Sequence, residues 1–208
     1  MPRVLRLMRE NGLLAPQRPG RVRGPRPHDG TITTTAPDVM WGTDATTTLT
    51  TKEGNATIFI AVDHYTAECL AIHAARPGTR YEAVEVLRQA VRGAYGAYGP
   101  AVAVGLLMRH DNGSVFISDV FQDELKFLGI ESSPSFVRQP EGNGCAERII
   151  RTLKEQLLWT RSFDTVEDLR IALHEWRRLY NEHWLIEKNG FLTPNQARSA
   201  FLSANEVA

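Results

Sequence analysis

The stretch ATIFIAVDHYT, residues 56–66, is a nearly continuous run of apolar and β-branched side chains. Successive side chains of a strand point to opposite sides of its sheet, so such a run can be stable only if both faces are covered. It predicts a central strand with a layer on each side. Two more strand-like stretches flank it, VMWGTDATTTLT at 39–50 and CLAIHAAR at 69–76. The first is dense in Trp, Val and Thr, residues that favour strands. Lys52-Glu53-Gly54-Asn55 predicts the hairpin turn between the first two strands. Three strands in succession predict a meander.

Helical spacing begins after the meander. Over about 79–95, Ala83, Val84, Leu87, Ala90, Val91 and Ala94 form one apolar stripe. AVAVGLLMRHD (101–111) predicts a fourth strand, and about 117–128 a second helix with Val120, Phe121, Leu125, Phe127 and Leu128 on its apolar side. IESSPSF (130–136) predicts a short fifth strand, and RQPEGNG (138–144) a loop mobile by composition. A long helix is expected from Cys145 to about Trp159. Another follows over TVEDLRIALHEWRRLYNEH, capped by Asp164 or Thr165, and Thr193-Pro194 starts a last short one. This order predicts an α/β fold, a mixed five-stranded sheet flanked by helices.

Charge is unevenly placed. The net charge is zero, yet residues 1–30 carry seven arginines against Glu10 and Asp29, a balance of +5 that leaves −5 on the rest. A basic arm on an acidic body is a pattern of proteins that touch nucleic acid, although a solvated leader has the same composition. Val4, Leu5, Leu7 and Met8 lie at helical spacing, and residues 15–30, rich in Pro, Gly and Arg, read as a linker. Cys69 and Cys145 form no CxxC pair, which excludes a four-ligand structural zinc site and any disulfide framework and fits a reducing cytosol. No apolar run reaches the ~18–20 residues of a membrane span, and the N-terminal stretch has arginines where a signal peptide would be apolar. The expectation is a cytoplasmic, soluble protein with no membrane contact.

Three acids stand out from those on helix faces or at caps. Asp44 sits mid-strand in WGTDATTT, where an uncompensated carboxylate is costly and needs a cation or metal. Asp111 ends the fourth strand, at the edge where open sheets bind ligands. Glu147 lies in the first turn of the long helix. Asp111 follows Asp44 by 67 positions, and 35 residues lie between Asp111 and Glu147. If the first and fourth strands pair, the two aspartates converge and repel. All-oxygen clusters of this kind suit Mg²⁺ or Mn²⁺, and an ion pair ~3.5–4 Å apart can drive phosphodiester chemistry. Taken singly, Asp111 also reads as a turn acid before Asn-Gly and Glu147 as a helix-dipole partner. Asp63 is a fourth candidate for which a strand-end hydrogen-bond role is favoured. In the glutamate helix, Ala146, Ile150, Leu153 and Leu157 form the expected buried stripe. Glu147, Arg151 and Lys154 share the neighbouring face, which suits a metal site beside a phosphate track or, more blandly, a Glu147–Arg151 helix pair.

Four motifs, taken together, resemble a known family. APDVMWGTDATTT, IFIAVDHYTAECLA, RHDNGSVF and EGNGCAERIIRTLKEQ are similar to the orfB-type transposases of bacterial insertion sequences and, more distantly, to retroviral integrase cores. The likeness spans about residues 36–200. It implies a ribonuclease-H-like fold and a metal-holding, catalytic triad of Asp44, Asp111 and Glu147. It implies two Mg²⁺ or Mn²⁺ ions, and cutting and joining of DNA, with cleavage freeing a 3′-hydroxyl that then attacks another phosphodiester. Arg151, Lys154, Asn112, Asn143, Arg18, Arg21, Arg23 and Arg26 are the expected DNA contacts. Tyr180-Asn181 and Thr193-Pro194 keep the family pattern, but YNEHWLIEKNGFLTP interrupts it, leaving His183 and Trp184 unassigned. Residues 1–14 look like the last helix of a helix-turn-helix region, 15–35 like a basic linker, 36–162 like the catalytic core and 163–208 like a helical extension. Without a preceding helix the chain is expected to recognise transposon ends poorly. The expected partners are DNA, further copies of the chain, and an upstream reading frame's product carrying the DNA-binding domain. A ribonuclease-H-type nuclease on the same fold and a truncated, inactive DNA-binding form are the competing readings.

Overall fold

The computed structural model describes residues 3–12, 34–135 and 143–206 of the chain. Two units are distinct, Met1–Gly30 and Thr31–Ala208. In the first, helix α1 (Arg3–Glu10) ends at Gly12, whose φ of 65° is the left-handed stop that glycine supplies freely. Val4, Leu7 and Met8 on it are exposed. Arg18, Arg21, Arg23 and Arg26, with most of the expected linker, lie outside the described residues, as does most of the expected 138–144 loop.

The second unit is built on a five-stranded sheet of β1 (Met40–Thr50), β2 (Gly54–Asp63), β3 (Cys69–Ala75), β4 (Leu107–His110) and β5 (Glu131–Pro134). Their spatial order is β3-β2-β1-β4-β5. The meander pairs antiparallel, while β4 pairs parallel with both β1 and β5. Helices α2 (Arg80–Tyr95), α3 (Asp119–Leu128), α4 (Gly144–Leu153), α5 (Val166–His183) and α6 (Pro194–Glu206) surround it.

β2 explains the two layers. Phe59 and Ala61 join the cluster made with α2, α3 and Phe116, whereas Ile58, Ile60 and Val62 join the one made with α4 and α5. Alternate residues of one apolar strand thus anchor two cores. The edge strand β3 is closed by side chains of α5. Asn181 receives the Cys69 N–H at 2.9 Å and donates to the Cys69 carbonyl at 3.0 Å. Arg177 also donates to that carbonyl, and Arg170 to that of Ala74. Backbone groups that would otherwise invite another strand are thereby used up. Helix starts follow the expected chemistry: Thr165 and Asp168 form a capping box on α5.

Four expectations need correction. The fourth strand is not 101–111 but four residues long, because Ala101 and Ala103 spend their N–H groups on the carbonyls of Phe127 and Leu128 at the end of α3. The second strand stops at Asp63, and His64–Thr66 turn. Gly54 and Asn55 belong to β2, so the hairpin turn is Thr51–Glu53. The long helix does not stay α-helical to Trp159. Lys154–Leu158 form a π turn, which shifts the buried stripe by one residue so that Leu158 is buried in place of the half-buried Leu157.

Candidate active site

Asp44 lies in the middle of β1, opposite Ile60 of β2. Thr43 just before it is buried and donates from its hydroxyl to the Ile60 carbonyl at 2.8 Å. Asp44 points the other way and is half-buried, with the Ala45 N–H donating to Oδ1 at 2.8 Å. Burial raises its pKa to about 6, against the lowering effect of that N–H. The charges of Asp111 and Glu147 raise it further, and Lys154 lowers it. The two distant acids therefore both act on Asp44.

Register explains why Asp111 is near. The parallel pairing of β1 with β4 runs from Met40 opposite Leu107 to Gly42 opposite Arg109. Two steps further, the same register would set Asp111 across from Asp44. Asp111 itself is exposed in the turn after β4, where its Oδ1 accepts from the Gly113 N–H at 2.9 Å. A Cβ at position 113 would lie 2.8 Å from that oxygen, so a larger residue there would push the Asp111 carboxylate aside. Beside it, His110 is buried between Phe116 and Phe121. Its Nδ1 lies 2.7 Å from the Asp111 carbonyl, which can only accept, so Nδ1 carries the hydrogen and Nε2 accepts from the Ser132 hydroxyl at 2.9 Å. Asn112 is exposed and ties this turn to the Ser135 carbonyl at 2.8 Å.

Glu147 is exposed on the first turn of α4. An open cleft of about 350 Å³ lies beside it, lined by Asp44, Ala45, Glu147, Ile150, Arg151, Lys154 and Trp159. Asp44 and Glu147 thus share a cleft wall with two cations, and Asp111 is not part of that wall. Arg151 pairs with Glu155 at 3.8 Å rather than with Glu147. Among the described residues, no three His, Cys, Asp or Glu side chains stand close enough together to hold a metal ion.

Asn143, an expected DNA contact, lies inside the structure. It is 3% exposed, and its Nδ2 donates to the Thr43 carbonyl at 3.0 Å. A buried amide used on β1 is not presented to DNA. Asp63 is fully buried and takes the strand-end role: its carboxylate accepts from the N–H groups of Asp38, Tyr65 and Thr66 and from the Thr66 hydroxyl. Tyr180 and Asn181 pin α5 to the end of β3, Tyr180 through its hydroxyl to the Ala67 carbonyl at 3.2 Å. His183 is exposed.

Sequence reasoning missed three residues. Gly42 in β1 leaves the space into which His64 and Asn143 reach, and a glycine inside a strand is a signal of such close approach. His64 carried no signal of its own. Trp159 reaches the cleft only through the π turn, which two adjacent leucines, Leu157 and Leu158, leave unmarked in the sequence.

Two models of the Integrase core domain match the chain, one over residues 34–140 and one over 128–194. Among curated proteins, the chain is 29% identical over 157 residues to the putative transposase InsD for insertion element IS2E of Escherichia coli, covering 75% of this chain and 71% of that protein. It is equally identical to the transposase InsD for insertion element IS2A/D/F/H/I/K of Escherichia coli, of which it spans 52%. Apart from the first, the chain thus spans about half the length of these relatives. Among solved structures, the catalytic core domain of BIV integrase matches with a TM-score of 0.56 at 22% identity, over 82% of this chain and 97% of that one. The HTLV-2 integrase catalytic core domain in complex with magnesium matches with a TM-score of 0.55 at 20% identity, over 79% and 98%. The mixed sheet with helices on both faces is therefore ribonuclease-H-like, and none of the described helices is long and apolar enough to cross a membrane. On the family match, the chain belongs to the integrase core domain family, with a catalytic core of the transposase and integrase type.

Proposed function

We propose that Asp44, Asp111 and Glu147 are the catalytic carboxylates of a DNA cutting and joining reaction, and that they hold divalent metal. The observation that carries this is the convergence on Asp44, whose carboxyl is raised to about 6 by burial, with the charges of Asp111 and Glu147 adding smaller contributions. Oxygen-donor acids brought toward one another fit Mg²⁺ or Mn²⁺, since a divalent cation offsets the repulsion felt at Asp44. Magnesium accompanies the HTLV-2 core in its solved structure, which supports the same choice here. A pair of ions bound by these acids would supply Lewis acidity and an activated oxygen nucleophile.

The remaining steps belong to the chain. Asp44 is fixed by its strand and by the Ala45 N–H, so its carboxylate keeps one orientation. Glu147 is carried into the same cleft by α4. Arg151 and Lys154 on the same wall suit the phosphates on either side of the scissile bond, and Arg18, Arg21, Arg23 and Arg26 are proposed as further DNA contacts. Cleavage frees a 3′-hydroxyl at the element's end, and the same cleft holds that hydroxyl in line with a second phosphodiester. The DNA substrate, oligomeric assembly on it, and a partner supplying end recognition all follow from this reading. Asn112 supports the Asp111 turn from the second side.

Strand transfer on an end-containing duplex with Mn²⁺, comparing the wild type with Asp111→Asn, tests the assignment. Joined products in the wild type and none in the variant are expected. Equal activity in both removes the triad, and cleavage without joining points to a hydrolytic nuclease instead.

A further inference from the structure

Of the four tryptophans, Trp41 and Trp176 are buried and Trp184 is 39% exposed, whereas Trp159 is 71% exposed at the mouth of the cleft that holds Asp44 and Glu147. Its ring takes part in no aromatic pair or cation contact among the described residues. A single exposed apolar side chain is ordinary; Trp159 is set apart by its place in the lining of the cleft beside Asp44, Glu147 and two cations.

The backbone shows how it comes to be there. The Trp159 N–H donates at 2.9 Å to the carbonyl of Lys154, five residues back rather than four. Glu147, Arg151 and Lys154 descend one face of the helix at four- and three-residue steps. Had the α-helix continued, position 158 would have been next in that file, and Trp159 would have turned away from the cleft. The five-residue turn instead sets Trp159 directly below Lys154 and turns Leu158 inward. Single π turns are uncommon and concentrate at functional sites.

We infer that Trp159 is a substrate-positioning residue that stacks on an unpaired base at the end of the DNA strand held in this cleft. This rests on the proposed DNA reaction at the same site. The wall then offers three chemistries in order: carboxylates for metal, cations for phosphate, and an aromatic face for a base. Bases inside a duplex are already stacked on both faces, so an indole at this place can engage only a nucleotide that has left the helix. Because every base has a π face, the contact is indifferent to sequence and favours frayed or overhanging ends over blunt ones.

The test uses the full chain with Ca²⁺ in place of the reactive metal, so that binding is read without turnover. The probe is a duplex with a short single-stranded overhang carrying a fluorescent aminopurine, set against the same duplex fully paired. Wild-type protein is expected to quench the overhang's emission on binding. Trp159→Ala should abolish the quench and weaken overhang binding by on the order of 10-fold, leave the paired duplex unchanged, and retain the wild-type circular dichroism. Trp159→Phe should restore most of both signals. An unaltered quench in Trp159→Ala, or equal weakening on both duplexes, overturns the inference. Asp111→Asn keeps the quench if stacking is correct, even where strand transfer is unaffected by it, so the base contact and the triad fail separately.

Discussion

Asn143 donates from its side-chain amide to the carbonyl of Thr43 at 3.0 Å, across 100 positions of sequence. Thr43 precedes Asp44, and Asn143 is the N-cap of the helix that carries Glu147. One hydrogen bond thus sets the distance between the strand of one acid and the helix of another. Around it, Asn143 Oδ1 and His64 Nε2 are buried without hydrogen-bond partners among the described residues, both close to Gly42. Both cradle the space where a Cβ on Gly42 would stand.

Gly42→Ala should therefore disturb more than its own strand. The added methyl would meet His64 Nε2 at 2.7 Å and Asn143 Oδ1 at 2.9 Å. Overpacking of this kind costs about 1–3 kcal/mol, which a urea melt would register. Strand transfer should fall more steeply than stability, because the displaced neighbour is the anchor of α4. A variant with wild-type activity would show that the anchor is dispensable.

Asn143→Ala separates the two effects. Loss of one buried hydrogen bond costs on the order of 1 kcal/mol. Turnover is expected to drop on the order of 10-fold or more, since errors of about 1 Å in a reacting group are that costly. Comparing the melting midpoint with the strand-transfer rate checks it, and parallel losses in the two would refute a positioning role.

Protonation gives a third expectation. Asp44 is raised to about 6 by burial and by its acidic neighbours, against the opposing Ala45 N–H. Between its ordinary value and 6 the folded state holds a proton that the unfolded chain has released, so stability falls as pH rises through that window, by on the order of 3 kcal/mol at most. His64 does the opposite. Burial, with Lys188 and Arg109, lowers it to about 4, so stability falls as pH drops from 6.5 toward 4. The two nearly cancel in the wild type. Asp44→Asn should expose the acid-side loss and be the more stable protein at neutral pH without metal. Thermal melts across pH with and without Mg²⁺ decide this, with Mg²⁺ raising the melting point of the wild type only.

Arg198 reaches from α6 to Asp38 at 2.6 Å and Glu68 at 2.5 Å. Arg198→Met leaves two partly buried carboxylates unpaired and should cost about 1–3 kcal/mol, discounted for their solvent access. Neither group touches the cleft, so kcat should hold at temperatures where the variant stays folded. Calorimetry beside an activity assay checks both halves.

Much of this was legible from local pattern. The two-faced β2 could be read because its apolar residues are consecutive, and the approach of Asp44 to Asp111 was conditional on the first and fourth strands pairing, which they do. What escaped was decided by distant atoms. Residues 101–105 have strand composition but give up the ladder to cap α3. The π turn hides behind Leu157 and Leu158, either of which could carry the stripe. Asn143 follows a glycine-rich, polar stretch that reads as surface, and only the hole above Gly42 draws it inside. The roles of the three acids rest on resemblance and spacing, and the cleft that joins two of them rests on that same hidden turn.

The sheet order has a consequence for biogenesis. β1, β2 and β3 are neighbours both in sequence and in space, so they can zip together while later parts of the chain are still emerging from the ribosome. β4 and α4 must then be recruited from far along the chain, and such long-range closures are slow. The cleft between Asp44 and Glu147 is thus completed only after the meander has formed. Pulsed hydrogen exchange during refolding should protect amides of β2 before those of α4.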